Sequence, residues 1–300
     1  MDILLRLRVK IFPFFIKKIL GLLRDKEFYR ISFVYLHRKG KGKIYFPNID
    51  DPSTFNEKTL FMKMYYRETP IDYFADKYRV REYVSQKIGA RYLVPLINHY
   101  EKAEDIDFDK LPNEFVLKMN HGSGWNLIVL DKNKINRNSV RHQLEKWMKL
   151  NYYNVGREWQ YKSIKPLIMC EEFLFNPDHT PIRDYKVFCF NGKAQFVQID
   201  LDRFTNHRRQ FYDRDWNLQL FTTLFPREVI PIEKPNHLAE VLESAEKLAV
   251  GFMFLRVDLY YNGSEIHFGE LTLHHGGGCE PFIPSEYDLI LGKMLKMKRR

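Results

Sequence analysis

Apolar residues recur along the chain at two different spacings, which predict a mixture of helices and strands. Spacings of three and four residues are typical of amphipathic helices. The helices predicted in this way follow the turn at 50–52 and cover 76–88, 139–151 and 238–249. The first can begin at a capping box, with Ser53 or Thr54 at the cap and Glu57 about three positions later. Gly89 and Gly251 are expected to end two of the others.

Shorter apolar runs that lie between turn residues predict strands. The strand candidates are 92–100, 114–119, 127–131, 167–175, 184–190, 193–200 and the two halves of 252–273. Asn191-Gly192 and Asn262-Gly263 each join two of these runs, and Asn-Gly is a strong hairpin signal. The whole pattern is that of an α+β protein, and we expect two lobes that close on a cleft near residue 170.

The net charge of +10 is concentrated at the two ends of the chain. Residues 1–43 hold twelve Lys and Arg against three acidic residues, a net of +9, and 293–300 form a basic tail. A protein that grips nucleic acid would spread basic residues over its main domain, because affinity follows the number of phosphates neutralised. We therefore expect no nucleic-acid partner.

The N-terminal 24 residues alternate apolar and charged positions. Arg6, Lys10, Lys17 and Arg24 share one side of a helical projection, and no apolar run approaches the about 20 residues that span a bilayer. The segment is predicted to be a basic amphipathic helix on an anionic membrane surface. A helix packed on the protein's own surface, with a solvated basic face, is the alternative. Three cysteines without paired spacing favour a reducing cytoplasm.

A lysine followed by small residues is the first candidate for chemistry. Lys118 ends a predicted strand and stands before Met119 and the run Asn120-His121-Gly122-Ser123-Gly124. Small residues let backbone N–H groups approach phosphate oxygens, and the lysine supplies a positive charge. The spacing fits neither a P-loop nor a dinucleotide fold. A structural hairpin accounts for the two glycines as well as phosphate binding does.

Two acidic residues on neighbouring predicted strands are the second candidate. Asp258 and Glu270 flank the Asn262-Gly263 turn, and carboxylates among apolar strands are costly unless they are paired or bind metal. Mg²⁺ held together with nucleotide phosphates would satisfy both. The alternative is that one acid pairs with Arg256 while the other is exposed.

In combination, these features resemble the ATP-grasp fold and, more specifically, the TupA-like (teichuronopeptide-synthesis type) ATP-grasp family of bacterial surface-polysaccharide loci. Lys77 in Asp-Lys-Tyr is followed about forty residues later by Lys118, then by a glutamate-rich strand and a late Asp and Glu. The matching stretches lie between residues 50 and 292 and include FVLKMNHGSG, CEEF, RDYKVFCFNG, LRVDLYYNG and FGELTLHHGGGCEPF.

The resemblance implies a role for each matching position. Lys77 and Lys118 would contact nucleotide phosphates beneath a flexible loop, and the strand that follows would hold the adenine and ribose. The implied ATP-binding residues are Lys77, Lys118, His121, Gly122, Ser123, Gly124, Glu171, Glu172 and Phe173. The implied metal ligands are Asp258, Glu270 and Thr272, and Lys186, Arg256 and His274 are the implied catalytic residues. Thr272 stands where the family has Asn, and His274 where many ATP-grasp ligases have Arg.

The resemblance also implies an activity, cofactors and a location. An ATP- and Mg²⁺-dependent ligase would activate a uronic acid or related carboxylate as an acyl phosphate and pass it to an amine. Its substrate would be a sugar or amino acid, or a lipid-linked glycan, on the cytoplasmic side of the membrane. The chain would divide into a basic segment 1–49, a first lobe 50–170 with the phosphate loop, a second lobe 171–292 with the metal site, and a tail 293–300.

Other chemistries remain open at the level of the sequence. Asp200 and Asp202 form an Asp-x-Asp motif after a strand, as in many metal-dependent glycosyltransferases, which would use a nucleotide sugar. A phosphotransferase acting on a sugar hydroxyl, or a non-catalytic scaffold of the same shape, would also fit. His274, His275 and Cys279 with His121 could form a transition-metal site, although their spacing fits no zinc pattern. Trp125 lies beside the phosphate loop, where we expect it to have little structural reason to be.

Overall fold

The computed structural model describes residues 23–67, 70–176, 182–202 and 206–297. Residues 1–22 of the predicted amphipathic segment and residues 298–300 of the predicted basic tail lie outside the described residues. Within these four ranges, every helix is too short or too polar to cross a bilayer.

Helices and strands are numbered here in chain order. The α-helices are α1 Asp25–Lys39, α2 Phe55–Tyr65, α3 Ile71–Ala75, α4 Val80–Lys87, α5 Arg137–Met148, α6 Tyr153–Gly156, α7 Leu238–Ala249 and α8 Glu286–Met294. The strands are β1 Leu96–Tyr100, β2 Phe115–Met119, β3 Asn126–Val129, β4 Ile168–Glu172, β5 Arg183–Phe190, β6 Lys193–Leu201, β7 Arg208–Asp213, β8 Thr222–Thr223, β9 Phe254–Tyr261, β10 Ile266–Thr272 and β11 Phe282–Ile283. The expected mixture of helices and strands is confirmed.

The chain forms two compact units, each built from separate stretches of sequence. The first unit comprises Met1–Thr69, Arg183–Leu259 and Leu271–Arg300, and the second comprises Pro70–Ile182 and Tyr260–Glu270. The end of β9, the turn after it and most of β10 therefore belong to the second unit. The segment bounds at 49, 170 and 292 stay a prediction.

The first unit contains most of a five-stranded sheet, in which β6 pairs antiparallel with both β5 and β7. The sheet order is β10-β9-β5-β6-β7, and β8 pairs with β11 in a separate short ribbon. The β5–β6 hairpin turns at Asn191 and Gly192, whose φ angles of +50° and +79° suit a left-handed turn. This confirms the hairpin that the Asn-Gly signal predicts.

An aromatic core covers one face of this sheet. Phe188 on β5, Phe211 on β7 and Phe254 on β9 form one cluster with Phe55 of α2 and Phe282 of β11. Helix α7 contacts β5 and β6, and its buried residues repeat at helical spacing. The sheet is thus buried between this helix and the aromatic cluster, which explains why β5 and β6 are rich in apolar residues.

The second unit contains a four-stranded antiparallel sheet in the order β1-β4-β2-β3. Its core lies on one face, where Phe115 and Leu117 of β2 and Cys170 of β4 pack with Leu144 of α5. Because side chains alternate along a strand, Lys118 and the neighbouring Glu171 point to the opposite face. The predicted helix stop is confirmed at Gly89, which has a φ angle of +107°.

Helix α2 begins at the predicted capping box. The Thr54 side chain accepts a hydrogen bond from the Glu57 backbone N–H, and the Glu57 carboxylate accepts one from the Thr54 N–H. At the same place α8 approaches closely, because a Cβ on Gly292 would overlap the Ser53 carbonyl oxygen. Asp288 of α8 accepts hydrogen bonds at 2.9 Å and 3.1 Å from the backbone and side-chain nitrogens of Asn56.

Asp288 predicts a measurable pH effect on stability. Burial raises its pKa to about 6. The stability contributed by the protonated carboxyl is therefore complete below the unfolded pKa near 4 and is lost as the pH rises through about 6. The side chain introduced in Asp288→Asn cannot ionise. We therefore expect the free energy of unfolding of the variant minus that of the wild type to be about 2 kcal/mol larger at pH 7.5 than at pH 4.5. Urea denaturation at both pH values measures this, and an equal effect at both would contradict it.

Candidate functional site

Lys118 lies at the end of β2, on the face of the four-stranded sheet that points away from the core. Strand β4 runs beside it, with Val116 opposite Glu171 and Lys118 opposite Met169. The Lys118 ammonium forms an ion pair with the Glu171 carboxylate. The predicted loop of small residues follows directly and returns at β3, where the Met119 N–H donates to the Trp125 carbonyl at 2.9 Å.

Glu171 balances two cations at once. Besides Lys118 it accepts a hydrogen bond from Nη1 of Arg81 at 3.2 Å, while Nη2 of Arg81 donates to the Val94 carbonyl at 3.0 Å. Glu171 is only 3% exposed. A buried carboxylate is stable when paired in this way. Arg81 is a member of this site that the sequence analysis missed.

Lys77 follows helix α3 in the chain, and its side chain contacts the same loop. Its Nζ donates to the Gly122 carbonyl at 2.5 Å and lies 3.5 Å from Oε2 of Glu270. Its backbone N–H donates to the Asn120 carbonyl at 3.1 Å. The structure therefore brings together the loop, Lys77 and Glu270. We call Lys77, Lys118, Glu171, Arg81 and Glu270 the lysine site.

A buried Asp–Asn pair fixes the backbone on which the lysine site depends. Asp76 Oδ1 accepts hydrogen bonds from the backbone N–H groups of Tyr78 and Arg79 and from Nδ2 of Asn120, the last at 3.0 Å. The Asn120 Oδ1 accepts from the Leu167 N–H at 2.7 Å. Neither role was predicted from the sequence. The only indication of these roles in the sequence is the position of the two residues: Asp76 directly precedes Lys77, and Asn120 comes two residues after Lys118.

The loop residues divide into a buried and an exposed part. His121 is buried, and its ring nitrogens contact Asn120 Oδ1 and the Leu150 carbonyl, each at 3.2 Å. Burial lowers the pKa of His121. Ser123 and Gly124 are exposed, and Gly124 has a φ angle of +73°. The predicted ATP-binding role of these residues stays a prediction, and the exposed pair is the part open to a ligand.

Trp125 corrects one expectation. Its ring meets His121 edge-on at 5.1 Å and Tyr152 at 5.2 Å between ring centroids, so it has a clear packing role. A Cβ on Gly122 would come within 2.6 Å of the Trp125 ring. Position 122 therefore requires glycine, because the Trp125 ring occupies the space that a side chain would need.

Glu172 and Phe173 follow Glu171 but lie in different surroundings. They line an open pocket of about 410 Å³ together with Ile97, Pro112, Asn113 and Glu114. By strand alternation Glu172 lies on the face of β4 opposite to Glu171 and Lys118. The Glu172 side chain is exposed. The predicted adenine and ribose contacts of these two residues stay a prediction.

In the first unit, Asp258 on β9 is surrounded by cations. Arg256 binds it with two nitrogens on one edge of the guanidinium, Nε to Oδ1 at 2.7 Å and Nη2 to Oδ2 at 2.6 Å. Lys186 on β5 lies 3.3 Å from the same Oδ2 and also pairs with Asp184. Asp258 is 4% exposed. The pairing with Arg256 that the sequence analysis left as an alternative is therefore present.

The ion pair continues into a longer chain of buried polar side chains. The third nitrogen of Arg256, Nη1, lies 3.1 Å from Nδ1 of His275, and burial lowers the pKa of that imidazole to about 3. Beyond His275 lie Glu280 and Arg209. Arg209 in turn binds Asp200. We call Asp258, Arg256, His275, Glu280, Arg209 and Asp200 the buried polar network.

Asp200 is already engaged in this network. Its Oδ1 accepts from Nε of Arg209 at 2.7 Å and contacts Nε2 of His207 at 3.0 Å. Although burial alone would raise the pKa of Asp200, the Arg209 guanidinium and His207 hold it well below its usual range. Asp202 is exposed with a φ angle of +47°. The carboxylate of Asp200 thus serves an internal ion pair, which does not favour a metal-binding Asp-x-Asp motif.

Thr272 and His274 lie just after the hairpin. Thr272 ends β10 and is half-buried, and His274 is buried and precedes the short 3₁₀ turn His275–Gly278. Gly276 and Gly277 within that turn have φ angles of +57° and +62°, which glycine adopts without strain. The catalytic role of His274 and the metal-ligand role of Thr272 stay predictions.

The carboxylates are suited to a hard cation. Among the described residues no group of three or more His, Cys, Asp and Glu side chains could hold a metal ion. Asp258 and Glu270 do offer carboxylate oxygens, and Thr272 a hydroxyl, which are the donors that Mg²⁺ prefers. Asp258 contacts the cations Arg256 and Lys186, and Glu270 contacts Lys77. The donor chemistry fits Mg²⁺ that arrives together with phosphates.

The fold and these residues define the protein as a member of the ATP-grasp class. Residues 57–296 match the model of the family described as TupA-like ATPgrasp, and the chain belongs to that family. This confirms the resemblance found in the sequence.

Several solved structures are similar to parts of the chain. The D-alanine–D-alanine ligase from Bacillus anthracis is 17% identical, with a TM-score of 0.38 over 67% of this chain and 57% of that chain. The ATP-grasp ligase PsnB, complexed with a phosphomimetic variant of its minimal precursor, Mg and ADP, is 12% identical, with a TM-score of 0.40 over 75% and 60%. The D-alanine–D-alanine ligase from Helicobacter pylori is 14% identical, with a TM-score of 0.39 over 74% and 60%. The chain thus spans less than two thirds of the length of these structures. No curated protein matches the chain.

The Asp76–Asn120 pair predicts a strong effect of one substitution. In Asn120→Ala, the Asp76 carboxylate, the Lys165 carbonyl and the Leu167 N–H each lose a buried partner. We expect the free energy of unfolding to fall by about 2–4 kcal/mol, because an unsatisfied buried group costs roughly 1–3 kcal/mol. Urea denaturation measures the change. Asn154→Ala, at an exposed asparagine, is the control and should change little; a similar small change in both variants would show that the pair is not needed.

Proposed function

We propose that this protein is an ATP- and Mg²⁺-dependent carboxylate–amine ligase. One observation carries the proposal: Lys77 binds the Gly122 carbonyl of the loop that directly follows Lys118. Two lysines at a loop of small residues, in a chain of the ATP-grasp class, support a site for nucleotide phosphates.

The charges of the lysine site support binding of a polyphosphate. Lys118 is balanced by Glu171, and Lys77 lies near Glu270. A triphosphate would compete for both ammonium groups. Lys118 can turn to the phosphate because Arg81 continues to balance Glu171. Lys77 can do the same if Glu270 becomes a metal ligand instead.

Asp258, Glu270 and Thr272 are the residues we assign to Mg²⁺. When bound, Mg²⁺ would neutralise part of the phosphate charge and polarise the transferred phosphoryl group. Arg256 and Lys186 hold the Asp258 carboxylate in one orientation, and their own charges can stabilise the phosphoryl oxygens. His274 is proposed to assist them at the position where many ATP-grasp ligases have Arg.

The proposed reaction has two steps. A carboxylate oxygen of the substrate attacks the γ-phosphorus of ATP, so a new O–P bond forms, the bond to the β-phosphate oxygen breaks and ADP leaves. The amine nitrogen then attacks the acyl carbon, the C–N bond forms, and phosphate leaves as the nitrogen loses a proton. The residues named above position the reactants and balance their charges.

The family points to a substrate class. We propose a uronic acid or related carboxylate as the activated group, an amino acid or other amine as the acceptor, and a role in surface-polysaccharide biosynthesis, such as capsule, O-antigen or teichuronopeptide-like material. The acceptor can be free or part of a lipid-linked glycan. The reaction would take place in the cytoplasm, where ATP is available.

Trapping the acyl phosphate tests this function without knowledge of the amine. The full chain is incubated with MgATP, hydroxylamine and a panel of glucuronic acid, galacturonic acid and amino acids. Hydroxylamine attacks an acyl phosphate to give a hydroxamate and phosphate, and both products are measured with ADP. For Lys118→Met we expect the rate of hydroxamate formation to fall about 100-fold or more, since a phosphate-binding charge is lost.

Lys134→Met is the matched control, because Lys134 is a lysine of the same unit whose side chain is 83% exposed. It should react at the wild-type rate. Absence of hydroxamate with every carboxylate, together with thermal stabilisation by a nucleotide sugar and not by ATP, would overturn the proposal and favour the glycosyltransferase alternative.

The charge of the N-terminus supports a further part of the proposal, a location at an anionic membrane surface. Residues 1–43 carry a net charge of +9, and each basic side chain near such a surface contributes about 1 kcal/mol. We expect the full chain to float with liposomes that contain anionic lipid and a chain without residues 1–22 to float much less. Equal flotation of the two chains would contradict this location.

A further inference from the structure

The buried polar network continues behind Arg256, the residue to which the proposed function gives a role in phosphoryl transfer. His275 is 1% exposed, and Glu280 and Arg209 lie beyond it. The proposed reaction does not use these three side chains. Polar groups that are largely buried without contact to a substrate need another reason to be there.

The contact between Nη1 of Arg256 and the His275 ring gives these side chains such a reason. Nε and Nη2 of the guanidinium bind Asp258, and Nη1 is 3.1 Å from Nδ1 of His275. A guanidinium can only donate hydrogen bonds, so Nδ1 must accept this one. The ring proton of His275 therefore lies on Nε2. All three nitrogen atoms of Arg256 thus have an acceptor in a fixed direction.

The orientation of the His275 ring is itself determined. Its Nε2 lies 3.6 Å from Oε2 of Glu280, and that oxygen accepts hydrogen bonds from Nη1 of Arg209 at 2.9 Å and from Oγ1 of Thr223 at 3.1 Å. The other side of the ring meets Phe188 edge-on at 4.7 Å. With Glu280 on the proton side, the ring presents its bare nitrogen to Arg256.

We propose that His275 is a positioning residue, which fixes the Arg256 guanidinium so that it binds Asp258 through Nε and Nη2 and keeps one orientation toward the transferred phosphoryl group. Glu280 lies on the Nε2 side of the ring at 3.6 Å, beyond hydrogen-bond distance, and Arg209, which is bound to Asp200, holds the Glu280 carboxylate. The orientation of Arg256 toward the phosphoryl group rests on the proposed function. The contact by which His275 holds Arg256 does not depend on that function.

The first test needs no substrate. The full chain is labelled with ¹⁵N, and the Nε–H signal of Arg256 is identified by its loss in Arg256→Lys. His275→Phe keeps a ring against Phe188 but removes the acceptor, and His275→Asn puts an amide oxygen near the position of Nδ1. We expect solvent exchange of the Arg256 Nε–H to become about tenfold faster or more in His275→Phe, and to return toward the wild-type rate in His275→Asn.

The second readout is hydroxamate formation from MgATP, hydroxylamine and glucuronic acid. For His275→Phe we expect kcat to fall about tenfold or more while KM for ATP changes little, because Lys77 and Lys118 belong to the second unit. His275→Asn should recover most of kcat. His37→Leu is the matched control, because His37 is another buried histidine of the first unit, stacked on Phe33. It should leave the Arg256 signal unchanged.

The outcomes separate this inference from the proposed function. Unchanged Arg256 exchange in His275→Phe overturns the inference, and so does an equal increase in His37→Leu, which would indicate general loosening. If His275→Phe does not fold, His275→Leu replaces it and the same criteria apply. A wild-type chain that gives no hydroxamate with any carboxylate of the panel, and that is stabilised by a nucleotide sugar and not by ATP, removes the proposed function, and the exchange measurement still decides whether His275 holds Arg256.

Discussion

The central constraint in this structure is that each buried charge must be balanced by another. In the second unit Glu171 balances Lys118 and Arg81, and in the first unit Asp258 balances Arg256 and Lys186. Charges buried without partners would cost several kcal/mol each. The residues that the proposed function needs are thus part of what keeps each unit folded, and each carboxylate is a partner for two cations.

Much of the fold could be predicted because local signals agree with the final structure. Asn191-Gly192 turns a hairpin, Gly89 ends a helix, and Thr54 with Glu57 starts another. These features depend on a few neighbouring residues, so the sequence shows them directly. The division into two units could not be predicted in the same way. The tip of the β9–β10 hairpin belongs to the unit formed mainly by Pro70–Ile182, and only long-range packing determines that.

The candidate site was predicted in part, and the limits have physical causes. Lys118 and Asp258 stand out because each is a charged residue in a predicted apolar strand, whereas Lys77 is found only through the resemblance to the family. Arg81 and Asn120 could not be found this way, since their partners lie far along the chain. Glu171 and Glu172 are neighbours in sequence, yet strand alternation gives one a buried ion pair and leaves the other exposed. Asp200 looked like a metal ligand because its partner Arg209 lies on another strand.

The Asp76–Asn120 hydrogen bond has a consequence for the thermodynamics of ligand binding. It ties the segment that carries Lys77 to the loop that follows Lys118, while Ser123 and Gly124 stay exposed at the loop tip. The conformational entropy of arranging the two lysines is therefore lost when the second unit folds and not when a ligand arrives. Such preorganisation increases affinity without any added contact.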